Sequence, residues 1–229
     1  HRLLARGISS DGSVANSPQP CFFISHAKLD GLPLAHSLNS IFNQLPWLDT
    51  FYDAKDILPG DDFVEVLLNG TLGSMLIVLR TDIYDLRFWC RQEVMWAETF
   101  DRPALLVDAR TELFNRATVL GYSGIPGVRI PDGNLVRVLV EGLREWVRIG
   151  ILQRRYKEIV SKDSSIKRRT ILLTRTPTIS SLAEGIKRLA KQGAKNHDEV
   201  MIVYSEPPLE SNNDEAAQRG RFRVLAADR

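Results

Sequence analysis

The sequence predicts an α/β protein built on a doubly wound, five-stranded parallel sheet of flavodoxin-like strand order 2-1-3-4-5, followed by a small second α/β unit. Three observations carry this. Short apolar runs alternate with segments of helical spacing along residues 21–149. The runs are continuously apolar, the pattern of parallel strands covered on both faces. Right-handed crossovers then favour the doubly wound order, in which ligands bind beyond the carboxyl ends of the strands where the order reverses.

Residues 7–20 are rich in Gly, Ser, Asn and Pro, and 1–18 read as a flexible lead-in without the apolar region of a signal peptide. Cys21–Ser25 reads as the first strand. Residues 32–45 place Leu34, Leu38, Ile41, Phe42 and Leu45 on one helical face. Trp47–Tyr52 reads as a second strand, and 53–60 as a loop ending in Pro-Gly. A helix over 61–72, capped by Asp61 or Asp62, turns Phe63, Val66, Leu67 and Leu72 inward. Met75–Arg80 is the most strand-like segment. An aromatic-rich helix over 87–100 leads to a fourth strand at Ala104–Asp108, a loop over 109–127 and a short strand at Val128–Ile130. A helix over 134–149 closes this part, with Leu135, Val138, Leu139, Leu143, Trp146 and Val147 on one face.

Composition narrows the function classes. The chain has 229 residues, 44% of them hydrophobic and 25% charged, ordinary values for one to two globular domains. No apolar run approaches the roughly 20 residues that span a bilayer, and two cysteines make no disulfide scaffold. The expectation is a soluble, cytoplasmic protein without a membrane contact. The net charge of +2 hides an asymmetry: residues 1–150 carry 14 Lys/Arg against 18 Asp/Glu, and residues 151–229 carry 16 against 10. No G-x-G-x-x-G follows a strand, the 70–74 stretch lacks the lysine of a phosphate loop, and no G-x-S-x-G elbow occurs. The four histidines and two cysteines have no metal-ligand spacing, so no metal is expected.

The segments after the first and third strands are therefore the places to look for chemistry. The first supplies Ser25, His26 and Asp30. The second supplies Thr81, then Trp89, Cys90 and Glu93, with Trp89 and Glu93 at i, i+4 on one helical face. A carboxylate beside a flat apolar surface suits a cationic or sugar-like group. Each has a plainer reading. By default Trp89 reads as core, Glu93 as a solvated helix charge, His26 as a loop or capping residue, and Cys90 as a small buried hydrophobe, and their place at the switch point raises the functional readings of all four.

In this order the residues resemble a TIR (Toll/interleukin-1 receptor) domain over about 19–150. CFFISHAKLD resembles the first-strand box, FYDAKDILPG the second strand with its BB loop, SMLIVLRTDIY the third strand, and RFWCRQEVMWAE carries the W-C-x-x-E signature. The chain departs at Arg87 and Thr81, where many members have Ser. The resemblance implies NAD⁺ glycohydrolase activity with Glu93 as the catalytic carboxylate. It places Ser25, His26, Tyr52, Asp53, Thr81 and Trp89 around NAD⁺. It implies self-association through TIR surfaces, including the loop tip Ile57, Leu58, Pro59 and Gly60, and a role in bacterial immune or stress signalling. A non-catalytic TIR scaffold and a nucleotide-sensing module without turnover are the alternative readings.

Residues 151–169 read as a basic connector, rich in Lys/Arg but poor in the aromatic residues that interleave at nucleic-acid surfaces. A nucleic-acid partner is therefore not expected. Beyond it, a strand at Thr170–Thr174, a helix over 182–191 capped by Ser180 or Ser181, and strands at 200–204 and 222–226 form a partial α/β unit. It loosely resembles the Rossmann-like nucleotide-sensing domains that accompany bacterial TIR domains, which implies a nucleotide signal or a partner protein there. Two or three strands make a poor independent core. The expectation is that the unit either packs on the first sheet or belongs to a larger domain.

Overall fold

Strand β3, Met75–Arg80, is buried at all six positions, so the sheet around it must be covered on both sides. The computed structural model describes residues 19–51, 62–111, 122, 124–162, 170–192, 200–205 and 222–226. β3 pairs in parallel with β1 (Cys21–His26) on one side and β4 (Ala104–Asp108) on the other. β2 (Asp49–Phe51) adds to β1 and β5 (Gly127–Arg129) to β4, all parallel, giving the order β2-β1-β3-β4-β5. The predicted fold class is the one observed. The register sets Ser25 opposite Val78 and His26 opposite Leu79 at the carboxyl ends of β1 and β3, where the order reverses.

Alternate strand residues feed two separate cores. Phe22, Ile24, Ile77, Leu79, Leu105 and Val107 pack under α1 (Leu32–Phe42) and α4 (Leu135–Lys162). Phe23, Leu76 and Val78 pack under α2 (Phe63–Gly73) and α3 (Phe88–Thr99). The start of α2 is set by Asp62, whose Oδ1 accepts from the backbone N–H of Val64 at 3.0 Å and of Glu65 at 3.2 Å. Gly70 lets α2 lie close on β2, because a Cβ there would meet the Phe51 ring at 2.8 Å.

Element boundaries differ where turns and pairing decide them. Residues 47 and 48 precede β2 because the Leu48 N–H bonds back to the Leu45 carbonyl at 3.0 Å in a turn. Helix α4 has 28 residues and runs through the first part of the expected connector. The apolar stripe simply continues: Ile149 and Leu152 are buried, whereas Val147 is 55% exposed and lies outside the stripe. No helix among the described residues is long and apolar enough to cross a membrane.

The second sheet has order β6-β7-β8. β6 (Thr170–Leu173) and β7 (Met201–Ser205) are parallel and flank α5 (Ile179–Lys191), and β8 (Phe222–Ala226) is antiparallel to β7. α5 begins three residues earlier than expected because Thr178, not Ser180 or Ser181, is its cap. The Thr178 hydroxyl accepts from the Ser181 N–H at 3.2 Å, and the Ser181 hydroxyl accepts from the Thr178 N–H at 3.0 Å.

This unit docks on helices of the first domain rather than on its sheet. Thr174 is the fastener. Its N–H donates to Asp101 Oδ2 at 2.6 Å, its hydroxyl to Asp101 Oδ1 at 3.1 Å, and its carbonyl accepts from Arg148 Nη2 at 2.9 Å. Arg148 also holds Glu145 with two bonds of 2.6 Å. Asp101 itself ends α3. The N–H groups of Asp101 and Arg102 return to the carbonyls of Glu98 and Ala97, and Asp101 takes φ 49°, the left-handed position usually given to Gly. The carboxylate gives Thr174 two short bonds there, beside a longer one of 3.5 Å from its hydroxyl to the Asp101 carbonyl.

Burial raises the Asp101 carboxyl from 3.8 to about 6, against the opposing bonds from Thr174 and the nearby Arg175 charge. A raised carboxyl favours the protonated fold. Its contribution is therefore full below pH 4 and is lost as pH rises through about 6, an effect of at most about 3 kcal/mol. Asp101→Asn should accordingly be the less stable protein at pH 4 and close or reverse the gap above pH 6.5, as read by urea unfolding at both pH values.

Candidate functional site

The candidate site forms where a period of two on β1 meets a period of 3.6 on α3. Ser25 follows Phe23 onto the face that α3 covers. On α3, Cys90, Val94 and Ala97 form the stripe facing the sheet, and Glu93 belongs to the same stripe. The two periods bring Ser25 Oγ and Glu93 Oε2 into a short hydrogen bond, with the serine donating. Glu93 is only 5% exposed, so its reading as a solvated helix charge is overturned.

A third group completes this cluster. Tyr84 lies in the 3-10 turn Tyr84–Leu86 after β3, is fully buried, and shares a short hydrogen bond with Ser25 Oγ. Serine has one hydroxyl hydrogen, and it goes to Glu93. The phenol is then the donor toward Ser25, in a chain from Tyr84 through Ser25 to Glu93, and it shares its one hydrogen with the Cys90 carbonyl at 3.3 Å. Burial, reinforced by Cys90 and Glu93, pushes the Tyr84 hydroxyl well above its ordinary value, so the phenol keeps the proton it donates.

The surrounding residues brace the two strand ends. Asp30 ties the loop after β1 to the segment after β3: its Oδ1 accepts from the Thr81 hydroxyl at 2.8 Å and its Oδ2 from the Ile83 N–H at 3.1 Å. His26 is buried, with Nδ1 3.2 Å from the Ile24 carbonyl, and its own carbonyl accepts from Cys90 Sγ at 3.4 Å. Cys90 thus behaves as the small buried residue of its plainer reading. At the end of β3, Arg80 and Asp85 form a buried ion pair, with Nε to Oδ2 at 2.9 Å. The Tyr122 hydroxyl donates to Asp85 Oδ1 at 2.6 Å while the Arg80 guanidinium lies 4.8 Å from the Tyr122 ring centre.

Trp89 is half-buried at the rim, edge-on to Phe63 at 5.1 Å and to Phe88 at 5.0 Å. Phe88 is 59% exposed, Leu86 64% and Leu29 74%, so apolar side chains ring this end of the sheet. The structure therefore brings Ser25 and Glu93 into contact. His26 and Thr81 follow at the ends of β1 and β3, with the Thr81 hydroxyl committed to Asp30, and Trp89 lies one turn before Glu93 on α3, packed against Phe63 and Phe88. Tyr52, Asp53 and the loop-tip residues Ile57, Leu58, Pro59 and Gly60 lie outside the described residues. Among the described residues, no group of three or more His, Cys, Asp or Glu side chains is placed to hold a metal ion.

Sequence reasoning did not select Tyr84, and it quoted Asp30 without giving it a role. The burial of Glu93 did have a signal, since 90, 93, 94 and 97 form one helical stripe. Nothing local marks Tyr84, whose partners are 59 residues upstream and in the next helix. A scan against models of known protein families and a search of curated proteins both find no match to this chain.

The chain of hydroxyls makes a stability prediction. Ser25→Ala removes a donor to a buried carboxylate and should cost about 2–3 kcal/mol, whereas Tyr84→Phe should cost about 1 kcal/mol. Because both act through one oxygen, the double variant in urea unfolding should depart from additivity by more than about 0.5 kcal/mol.

Proposed function

We propose that the chain is a TIR-like NAD⁺ glycohydrolase in which Glu93 is the catalytic carboxylate. The observation that carries this reading is the buried Ser25–Glu93 hydrogen bond at the carboxyl ends of β1 and β3, where doubly wound sheets bind ligands. The resemblance of residues 19–150 to the TIR family supports it, as does the indole of Trp89 one helical turn from Glu93.

The chemistry suits a carboxylate with no partner acid. When the bond between ribose C1′ and the nicotinamide nitrogen breaks, its electron pair stays on that nitrogen and nicotinamide leaves neutral. Positive charge develops on the ribose ring, and a nearby carboxylate stabilises it. Water then adds to C1′ and loses a proton, giving ADP-ribose, or an adenine nitrogen adds to give a cyclic isomer. Ser25 holds one Glu93 oxygen, which fixes the orientation of the other toward the ribose. Each tenfold in rate needs only about 1.4 kcal/mol of such selective stabilisation.

A scaffold reading draws on a separate observation, the exposed apolar rim of Leu29, Leu86 and Phe88. Single exposed apolar residues are ordinary, but three at one end of a sheet suit contact with a second copy. The burial of Glu93 connects the two readings: assembly that shifts the rim would open the carboxylate to substrate. The loop tip Ile57–Gly60 belongs to the same proposal.

NAD⁺ consumption should rise faster than linearly with protein concentration, and Glu93→Gln, which keeps the side-chain shape, should lower it at least about 100-fold. A wild-type protein that associates but turns over no NAD⁺ at any concentration would instead favour the scaffold. Phe88→Glu and Leu58→Asp should each reduce both self-association, measured by sedimentation, and the concentration-dependent part of the activity. Unchanged values for both variants would remove assembly from the proposal.

A further inference from the structure

A second place on the molecule has the makings of a ligand site, and its argument is independent of Glu93. The docking of β6 and α5 on the first domain leaves a cleft of about 320 Å³. Its walls come from both units: Phe100, Asp101 and Arg102 after α3, Gln153 and Tyr156 on the extension of α4, and Arg188 on α5. That volume is at the low end of small-molecule pockets and suits a mononucleotide-sized ligand.

The charge around the cleft is unbalanced. Arg102 lines it, and its Nε is buried without a hydrogen-bond partner among the described residues. Arg175, which is not itself on the cleft wall, is only 5% exposed, donates through Nη2 to the Arg102 carbonyl at 3.4 Å, and has Nε and Nη1 buried without partners among the described residues. Arg188 adds a third cation from α5. The nearest carboxylate, Asp101, is already engaged at both oxygens by Thr174. Glu98 and Glu145 also act on Arg175, and Glu145 is held by Arg148.

Buried guanidinium N–H groups without acceptors are costly, and native proteins rarely keep them without a purpose. Their planar, multidentate donors match the oxygens of phosphate and carboxylate groups. The Tyr156 and Phe100 rings on the same walls offer a flat apolar surface to the rest of such a molecule.

We infer that the cleft between the two units binds a phosphate monoester bearing a flat ring, with Arg102 and Arg188 on the phosphate and Tyr156 beside the ring. Such a ligand would touch both units at once and tighten their docking. The test is calorimetric titration of the full chain with AMP as probe, alongside inorganic phosphate and adenosine. AMP should bind saturably, at least tenfold more tightly than either fragment, and should raise the thermal midpoint. Arg188→Gln, on an exposed residue that the fold does not need, should weaken AMP at least fivefold, and Arg102→Gln at least tenfold. If Arg102→Gln does not fold, Arg188→Gln and Tyr156→Ala decide the matter. Glu93→Gln should leave AMP binding intact, which separates this cleft from the proposed NAD⁺ site. The inference is overturned if AMP does not saturate, if inorganic phosphate binds as tightly as AMP, or if the cleft variants bind AMP as the wild type does. It is equally overturned if Glu93→Gln alone abolishes binding.

Discussion

The complete burial of β3 is the constraint on which the rest of the structure depends. A strand with no side facing water must carry apolar residues at every position and must have helices on both faces. Met75 through Leu79 meet the first demand, the buried Arg80 at the strand end is met instead by its ion pair with Asp85, and the pairs α1/α4 and α2/α3 meet the second. The crossovers that bring those helices into place also put β1 and β3 side by side with their carboxyl ends together. A polar cluster can exist there because the strands end at that point. One residue earlier, Ile24 and Ile77 are sealed in the core.

Glu93 is placed by that geometry at some cost. A buried carboxylate without donors would be unfavourable by several kcal/mol. Here Ser25 donates to it and Tyr84 donates to Ser25, so the cluster is satisfied inside the protein. The clamp from Asp30 to Thr81 and Ile83 keeps the two strand ends from separating. A carboxylate held this way has a fixed direction, which is what electrostatic stabilisation of a developing charge requires. Its low exposure also ties any action on a substrate to a movement of the rim, where Phe88, Leu86 and Leu29 meet solvent.

The second unit depends on a different economy. Two parallel strands, one helix and an antiparallel strand enclose only a small core around Ile171, Leu173, Leu189, Ile202 and Tyr204. Such a core gains from a neighbour, and the neighbour is the end of α3 with the long extension of α4. Thr174 makes the connection through Asp101 and Arg148. Because α3 carries Glu93 in its middle and Asp101 just past its end, the site and the docking surface are attached to the same rigid element.

The amino-acid pattern alone determined the five-stranded order, the helices between the strands, and the neighbourhood of the site. These follow from local periodicity: continuous apolar runs, stripes at three- and four-residue spacing, and the position of polar residues just after strands. Tertiary structure decided what a side chain does once it is there. The pattern puts Glu93 on the stripe of 90, 94 and 97, but its partner was decided only when β1 set Ser25 against it. It did not mark Tyr84, whose hydroxyl matters only because the chain returns 59 residues later to Ser25. Nor did it separate α4 from a connector, since Ile149 and Leu152 are apolar in either case and become core only through long-range packing. Periodicity is written along the chain, but a hydrogen bond between distant residues exists only once the chain has folded.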